Sequence, residues 1–283
     1  MSDLKNYFMK PTNIEGIGDI HPIRLGEIEK FNKLSPKYLA VGRKYLTNIF
    51  KYPQKDYMLD FFVFNAYIIG ELEKAINDDR CTTEEKMEFE ARLNVLNANP
   101  QNKYSINEMT ELFSMTLNKE VTFELYGVSE DNTIDYVFKI EDNNSITKYN
   151  FEEYRSIVMA QNIIFEPLTS PSKEGNDIIQ NAIEVLNKNS GKFDLQSVCS
   201  VVSVYKGISD TELYGYTYYR LMMDFETINR INGNMFSAIF MSVGSKDAEI
   251  VNLAEYIDLD NNPYKGLISK YKASNLDKRL SKG

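Results

Sequence analysis

Apolar residues in the first part of the chain recur every three or four positions, as they do on one face of an amphipathic helix. This spacing predicts a helical segment over residues 24–50, interrupted at Pro36, and a second helix over residues 56–77. The second segment is apolar on most of its faces around Phe61–Ile69, which is typical of a helix at the centre of a core. The beginning of the chain is therefore predicted to be mainly helical.

Polar residues at capping positions mark where further helices begin. Thr82 or Thr83 stands before two glutamates and predicts a helix that ends at the pair Asn99-Pro100. Ser105 and Glu108 have the spacing of a capping box, in which each side chain bonds the other residue's backbone N–H. Two more helices are therefore predicted before residue 120.

Beyond residue 120 the apolar period changes from three or four to two. The segments 121–126 and 134–140 alternate in this way and predict an antiparallel β-hairpin over about 121–141, with a third short strand over 146–149. Asn150, followed by Glu153, is predicted to cap a helix that ends at the pair Glu166-Pro167.

A stretch rich in Ser, Pro and Gly, residues 169–176, has the composition of a linker. A capping box formed by Ser209 and Glu212 is predicted to begin a long final helix, which Gly233 bends or breaks. The helices predicted after the linker cover residues 176–188, 194–205 and 210–243.

These elements predict a mainly α fold with a small antiparallel β-hairpin element (α+β): a helical N-terminal block, a central hairpin and a helical C-terminal block. The predicted domains are 1–168 and 177–263, separated by the linker 169–176 and followed by a basic tail, 264–283. A short strand pair is also predicted near the N-terminus, from Ile14, Ile17, Ile20 and Ile23.

The chain is acidic, with a net charge of −9, so no general nucleic-acid binding is expected. The tail 264–283 differs, because six basic residues and one acidic residue give it a net charge of +5. It is interpreted either as a solvated terminus or as a short arm for an acidic surface, such as that of a neighbouring copy.

Few residues are suited to catalysis or metal binding. His21 is the only histidine, and Cys81 and Cys199 are the only cysteines, which excludes zinc sites with the usual nitrogen and sulfur ligands. No phosphate-binding or dinucleotide-binding motif occurs. We therefore expect no cofactor and no enzyme activity, although a mechanism built from carboxylates stays open. Two cysteines, the absence of an apolar run of membrane-spanning length and the lack of a signal peptide predict a cytoplasmic protein.

Four segments in a fixed order carry a resemblance to a known family. They are Gly16–Ile23, Asn150-Phe-Glu-Glu-Tyr-Arg155, the pair Gln161-Asn162, and the tyrosine-rich Tyr214-Gly-Tyr-Thr-Tyr-Tyr-Arg-Leu221. Together with the helical block and the hairpin, they resemble the tail assembly chaperones of phages and phage-like elements of Gram-positive bacteria. The resemblance does not cover the C-terminal end, where that family often has a tryptophan and this chain has none.

The resemblance implies a non-enzymatic protein of the bacterial host cytoplasm. Such a protein binds the tape-measure protein, helps recruit tail-tube subunits and is absent from the finished particle. Self-association is possible, and no nucleic acid or membrane is implied. The candidate partner-binding residues are Tyr214, Tyr218, Met222 and Phe225 in one block and Phe61, Phe62 and Tyr67 in the other.

Two other interpretations stay open. The same aromatic residues would serve equally well in a core, which makes core packing the alternative for the candidate site. A structural tail or baseplate subunit is the alternative for the function, because a hairpin can add to a neighbouring sheet edge.

Overall fold

The computed structural model describes residues 2–54, 56–97, 103–128, 134–141, 143–189, 194–244 and 246–259. The first block contains α1 (Ser2–Tyr7), β1 (Thr12–Ile14), β2 (Gly18–Ile20), a 3-10 turn (Leu25–Glu27), α2 (Ile28–Tyr38), α3 (Arg43–Phe50), α4 (Met58–Ile76), α5 (Thr83–Asn97) and α6 (Ile106–Leu117). The second half contains β3 (Val121–Val128), β4 (Ile134–Ile140), β5 (Ser145–Ile146), α7 (Phe151–Gln161), α8 (Lys173–Asn189), α9 (Leu195–Lys206), α10 (Asp210–Tyr214) and α11 (Tyr218–Ser242). This mainly helical fold with two small antiparallel sheets confirms the predicted fold class.

The larger core is built around α4, whose Phe62 and Val63 are fully buried. The three strands lie in the order β3-β4-β5, and β4 alternates buried and outward-facing side chains as its period of two predicts. Phe123 pairs with Phe138, which packs edge-on against Phe113 of α6. The hairpin is thus confirmed, with a bulge at Leu125–Gly127 that strand alternation does not reveal. The third strand exists but covers only Ser145–Ile146, and residues 148–150, predicted to extend it or to follow it directly, form a turn.

The beginnings of the helices agree with the sequence in two cases and differ in two. Ser209 and Glu212 form the predicted capping box, and Thr82, one of the two predicted caps, forms the same reciprocal bonds with Glu85. Asn150 instead turns back to bond the strand that precedes it, through the Thr147 backbone N–H and the Ser145 carbonyl. Asn150 thus stands at the N-cap position of α7 as predicted, but its side chain makes no cap bond, because nearer backbone partners hold its amide.

The capping box predicted at Ser105 is also replaced. The Ser105 side chain makes no cap bond; its backbone N–H donates to the buried Tyr38 hydroxyl, 2.9 Å away. That hydroxyl donates in turn to the Glu108 carboxylate at 2.6 Å, and Lys37 pairs with the same carboxylate. A tyrosine from α2 therefore accepts the Ser105 N–H, the bond that the Glu108 carboxylate would have accepted in a capping box.

The predicted N-terminal strand pair forms and is fastened to α7. β1 and β2 are antiparallel, and Ile14, Ile17, Ile20 and Ile23 are all buried. The side-chain amide of Gln161 donates to the Ile20 carbonyl, and Asn162 accepts the Ile23 N–H. Asn162 also bonds the Val158 carbonyl, so α7 ends at Gln161 and not at Glu166-Pro167.

A second, smaller core joins the C-terminal helices to the N-terminal segment. It contains Val198 and Val202 of α9, Leu213 of α10, Leu221 and Ile228 of α11, and Leu25 from the 3-10 turn. The Leu25 N–H bonds the Tyr216 carbonyl, and Arg24 forms a β-bridge with Thr217. The predicted domain boundary at 169–176 stays a prediction, but residues on both sides of it contribute to this core.

The long helix predicted over 210–243 is two helices. Tyr214 ends α10, and Thr217 caps α11 through its hydroxyl, which accepts the Arg220 N–H. The break lies at residues 215–217, where the backbone turns aside to bond Leu25, and Gly233 lies inside an unbroken α11. The end predicted at Asn99-Pro100, the loop 129–132 and the basic tail 264–283 lie outside the described residues.

Candidate partner-binding surface

The candidate residues of the first block belong to the core. Phe62 is fully buried and Phe61 nearly so, and both rings pack edge-on against each other and against further aromatic rings. Tyr67 is half-buried and packs against the same core. Phe61 and Phe62 cannot contact a partner in this fold, so their assignment to a binding surface is corrected: α4 is apolar all round because it is central.

The candidates of the second block are divided between surface and core. Tyr214 at the end of α10 is 64% exposed, whereas Tyr218, Met222 and Phe225 are half-buried against the second core. The turn between α10 and α11 separates Tyr214 from the other three. The four residues therefore do not form one continuous exposed face.

A group of exposed apolar side chains lies on the second half of α11. Met235, Phe236, Ile239, Phe240 and Val243 are each about half exposed or more, with Phe236 at 62%. At 100° per residue these five side chains lie on one side of the helix. We call them the distal face.

The distal face continues a stripe that the first half of α11 buries. Tyr218, Leu221, Phe225 and Ile228 pack inward, and Met235 and Ile239 follow at the same alternating spacing of three and four residues. Residues 231–244 carry no charged side chain. The apolar spacing that marks the distal face is therefore visible in the sequence, but the predicted helix over 210–243 does not show which part of that spacing is exposed.

Residues 246–259, called the return segment here, run back along the opposite side of α11. The Asn234 side chain accepts the Val251 N–H at 2.8 Å and donates to the Val251 carbonyl at 2.7 Å. One turn earlier, Arg230 donates to the carbonyls of Glu255 and Tyr256. Since Arg230 and Asn234 lie opposite the distal face on the helical wheel, the return segment leaves that face open.

Charged residues in the larger core are used to connect elements. Burial raises the pKa of the Asp60 carboxyl, which accepts the Tyr136 hydroxyl at 2.8 Å. Burial and the nearby Asp60 carboxylate raise the pKa of Tyr136, so its hydroxyl stays protonated. Lys148 stands 3.9 Å from the second Asp60 oxygen. The three side chains join α4 to β4 and to the turn before α7.

Several residues that carry the family resemblance are buried or connect elements of the fold. Phe151 and Tyr154 are buried beside Phe113, and the buried Arg155 donates to the Leu39 carbonyl and pairs with Glu166. Gln161 and Asn162 hold the N-terminal strand pair, as described above. Phe151, Tyr154, Arg155, Gln161 and Asn162 therefore hold the fold together, whereas Tyr214, in the tyrosine-rich segment, is exposed.

Three observations limit the kind of site present. Among the described residues, no group of three or more His, Cys, Asp or Glu side chains is placed to hold a metal ion. Within the same residues, no helix has both the length and the apolar character needed to cross a membrane. Comparisons with protein-family models, curated proteins and solved structures found no match.

Proposed function

We propose that this chain is a non-enzymatic assembly chaperone of a phage or phage-like tail, which binds the tape-measure protein and helps recruit tail-tube subunits. The observation that carries the proposal is the open distal face of α11. The partner class and the host-cell cytoplasm as its location follow from the family resemblance. A tape-measure protein is a long helical chain with apolar stripes, and an acidic protein covering those stripes would keep the complex soluble.

The geometry of α11 favours a helix as the partner. Its stripe packs against α9 through Leu221 and Ile228, and the same stripe continues into the distal face. The alternation of three and four residues is the spacing with which helices pack side by side. A partner helix lying along the distal face would therefore extend packing that α9 already begins.

The size of the distal face is that of an interaction patch, which would supply the apolar centre of an interface. Phe and Tyr side chains bury about 150–250 Å² each, so five apolar side chains that are about half exposed present roughly 500 Å². Standard interfaces bury about 800 Å² per partner, and exposed patches of several hundred Å² mark interaction sites. At about 25 cal/mol per Å², covering this area contributes roughly 12 kcal/mol before the cost of association.

Co-expression with the tape-measure protein, followed by affinity purification, tests the proposal. The Phe236→Asp/Phe240→Asp chain should bind at least about 100-fold more weakly, since each buried ring contributes about 1.5–3 kcal/mol. The matched control is Met87→Asp/Tyr126→Asp, which changes two equally exposed apolar residues on α5 and β3. Equal retention of the tape-measure protein by both variants, or binding of the chain to phospholipid vesicles alone, would contradict the proposal.

A structural tail or baseplate subunit is the second candidate, favoured by the position of β3. This strand is the edge of its sheet, and Leu125 and Tyr126 are exposed on it. Mass spectrometry of purified particles separates the two functions. A chaperone should be absent from finished particles, whereas a fixed copy number in them would establish the structural role.

A further inference from the structure

A groove separate from the distal face lies where the 3-10 turn, the start of α2, α9 and α10 meet. Its volume is about 860 Å³. Its lining is mixed: Leu195 and the exposed Val204 supply apolar surface beside the buried Leu25, Ile28 and Leu213, and Gln196, Ser200 and Ser203 supply polar surface. We call it the α9 groove.

The charges of the α9 groove have one sign. Glu29 and Asp210 line it, no lysine or arginine does, and neither carboxylate forms an ion pair within the described ranges. The Tyr214 ring lies against Gly26 at one side, where an added Cβ would stand 3.2 Å from the ring. A partly apolar lining with two carboxylates that form no ion pair to the described residues fits a segment that has both apolar and basic side chains.

The chain itself carries such a segment at its C-terminus. Residues 264–283 have a net charge of +5 in an otherwise acidic chain, and Leu267, Ile268, Leu276 and Leu280 are interspersed among the basic residues. Twenty-four residues follow Leu259, the last described residue. At about 3.3 Å per residue they reach up to ~80 Å, several times the ~19 Å radius of gyration expected for a chain of this length.

We propose that the α9 groove binds residues 264–283 of the same chain, with lysine and arginine side chains paired to Glu29 and Asp210. Leucine side chains of the segment cover the half-buried Leu195 and the exposed Val204 in the lining. This contact does not involve the distal face, so it can be tested independently of the proposed chaperone function.

Cys199 lines the groove and reports its occupancy. In a Cys81→Ser chain it is the only thiol, so its rate of alkylation by a maleimide measures access to the groove. A tethered segment at an effective concentration in the millimolar range, with a dissociation constant of about 0.1 mM, would be bound about ten times more often than free. Removing residues 264–283 should therefore raise the alkylation rate about 10-fold, and 1 M NaCl should raise it in the full chain.

Charge variants test the contact in the intact chain. Glu29→Gln/Asp210→Asn should raise the Cys199 rate towards that of the truncated chain. Glu88→Gln/Glu90→Gln, which removes two exposed carboxylates from α5, should leave the rate unchanged. Reversing the tail charges with Lys278→Glu, Arg279→Glu and Lys282→Glu should also raise the rate of Cys199 alkylation, without shortening the chain.

Two results would overturn the proposal. An unchanged Cys199 rate after truncation and after charge reversal, with circular dichroism confirming that both variants fold, would show that the tail does not occupy the groove. Protection of Cys199 that disappears on dilution would show instead that the segment comes from a second copy, because binding within one chain does not depend on concentration.

Discussion

The hydroxyl of Tyr38 has a role in this fold that a single substitution isolates. It accepts the Ser105 N–H at 2.9 Å, donates to the Glu108 carboxylate at 2.6 Å, and lies on a side chain that is 1% exposed. Tyr38→Phe removes one oxygen atom and keeps the ring, which packs edge-on against Phe62 and Tyr104. The change therefore removes the acceptor of the Ser105 N–H, at the start of α6, and one donor to the Glu108 carboxylate.

The expected loss of stability follows from those two bonds. A neutral hydrogen bond contributes about 1 kcal/mol and one to a charged group about 1.5–3 kcal/mol. The Glu108 side chain is 39% exposed, so solvent screens its bond and the lower end of the range applies. We expect Tyr38→Phe to lower the free energy of unfolding by about 2 kcal/mol.

Urea denaturation followed by circular dichroism measures this loss, and Tyr104→Phe is the matched control. Tyr104 belongs to the same buried ring cluster, but its hydroxyl makes no hydrogen bond to the described residues. Ser105→Ala should cost little in the wild-type chain and more in Tyr38→Phe, where the Glu108 carboxylate is free to accept the Ser105 N–H and complete a capping box with the Ser105 hydroxyl. Equal losses of stability in the two tyrosine variants would refute this role of the Tyr38 hydroxyl, as would a large loss for Ser105→Ala in the wild-type chain.

Three further substitutions test separate parts of the fold. Because burial raises the pKa of Asp60, this carboxyl stabilises the folded state below its unfolded pKa and loses that contribution as pH rises through its folded pKa. Asp60→Asn, which still accepts the Tyr136 hydroxyl, should gain stability relative to wild type between pH 3.5 and 7 in urea titrations; a constant difference would contradict this. Asn162→Ala leaves the Ile23 N–H unpaired and should cost about 1–3 kcal/mol, with faster hydrogen exchange at Ile23. Leu25→Ala should cost about 2–4 kcal/mol and speed exchange in α9 and α11; unchanged exchange there would show that the turn is not part of the second core.

Periodicity predicts most of the secondary structure because it depends on neighbours along the chain. The alternation in β4 and the spacing in α2 both match the buried positions in the structure. The Tyr38 hydroxyl could not be predicted in this way, because 67 residues separate it from Ser105. A capping motif indicates which groups are available for bonding, whereas tertiary packing decides which partner reaches them first.

The candidate site was harder to predict, because a core stripe and an interface stripe have the same helical period. Phe62 and Phe236 both belong to apolar helices, yet one is fully buried and the other is 62% exposed. What separates them is the number of other elements available to cover each helix. That number depends on the packing of α9 against only the first half of α11, which a local pattern does not contain.

The distal face also constrains the kind of partner that would fit it. Between Ile228 and Met235 the stripe passes through Asn232, which takes a position equivalent to that of Phe225. A polar residue at such a seam position favours one register over its alternatives, at some cost in stability. Two copies of this chain would bring together two net charges of −9, and that repulsion opposes pairing through the distal face. A helix of lower negative charge, with a polar residue placed opposite Asn232, therefore fits this surface better than a second copy does.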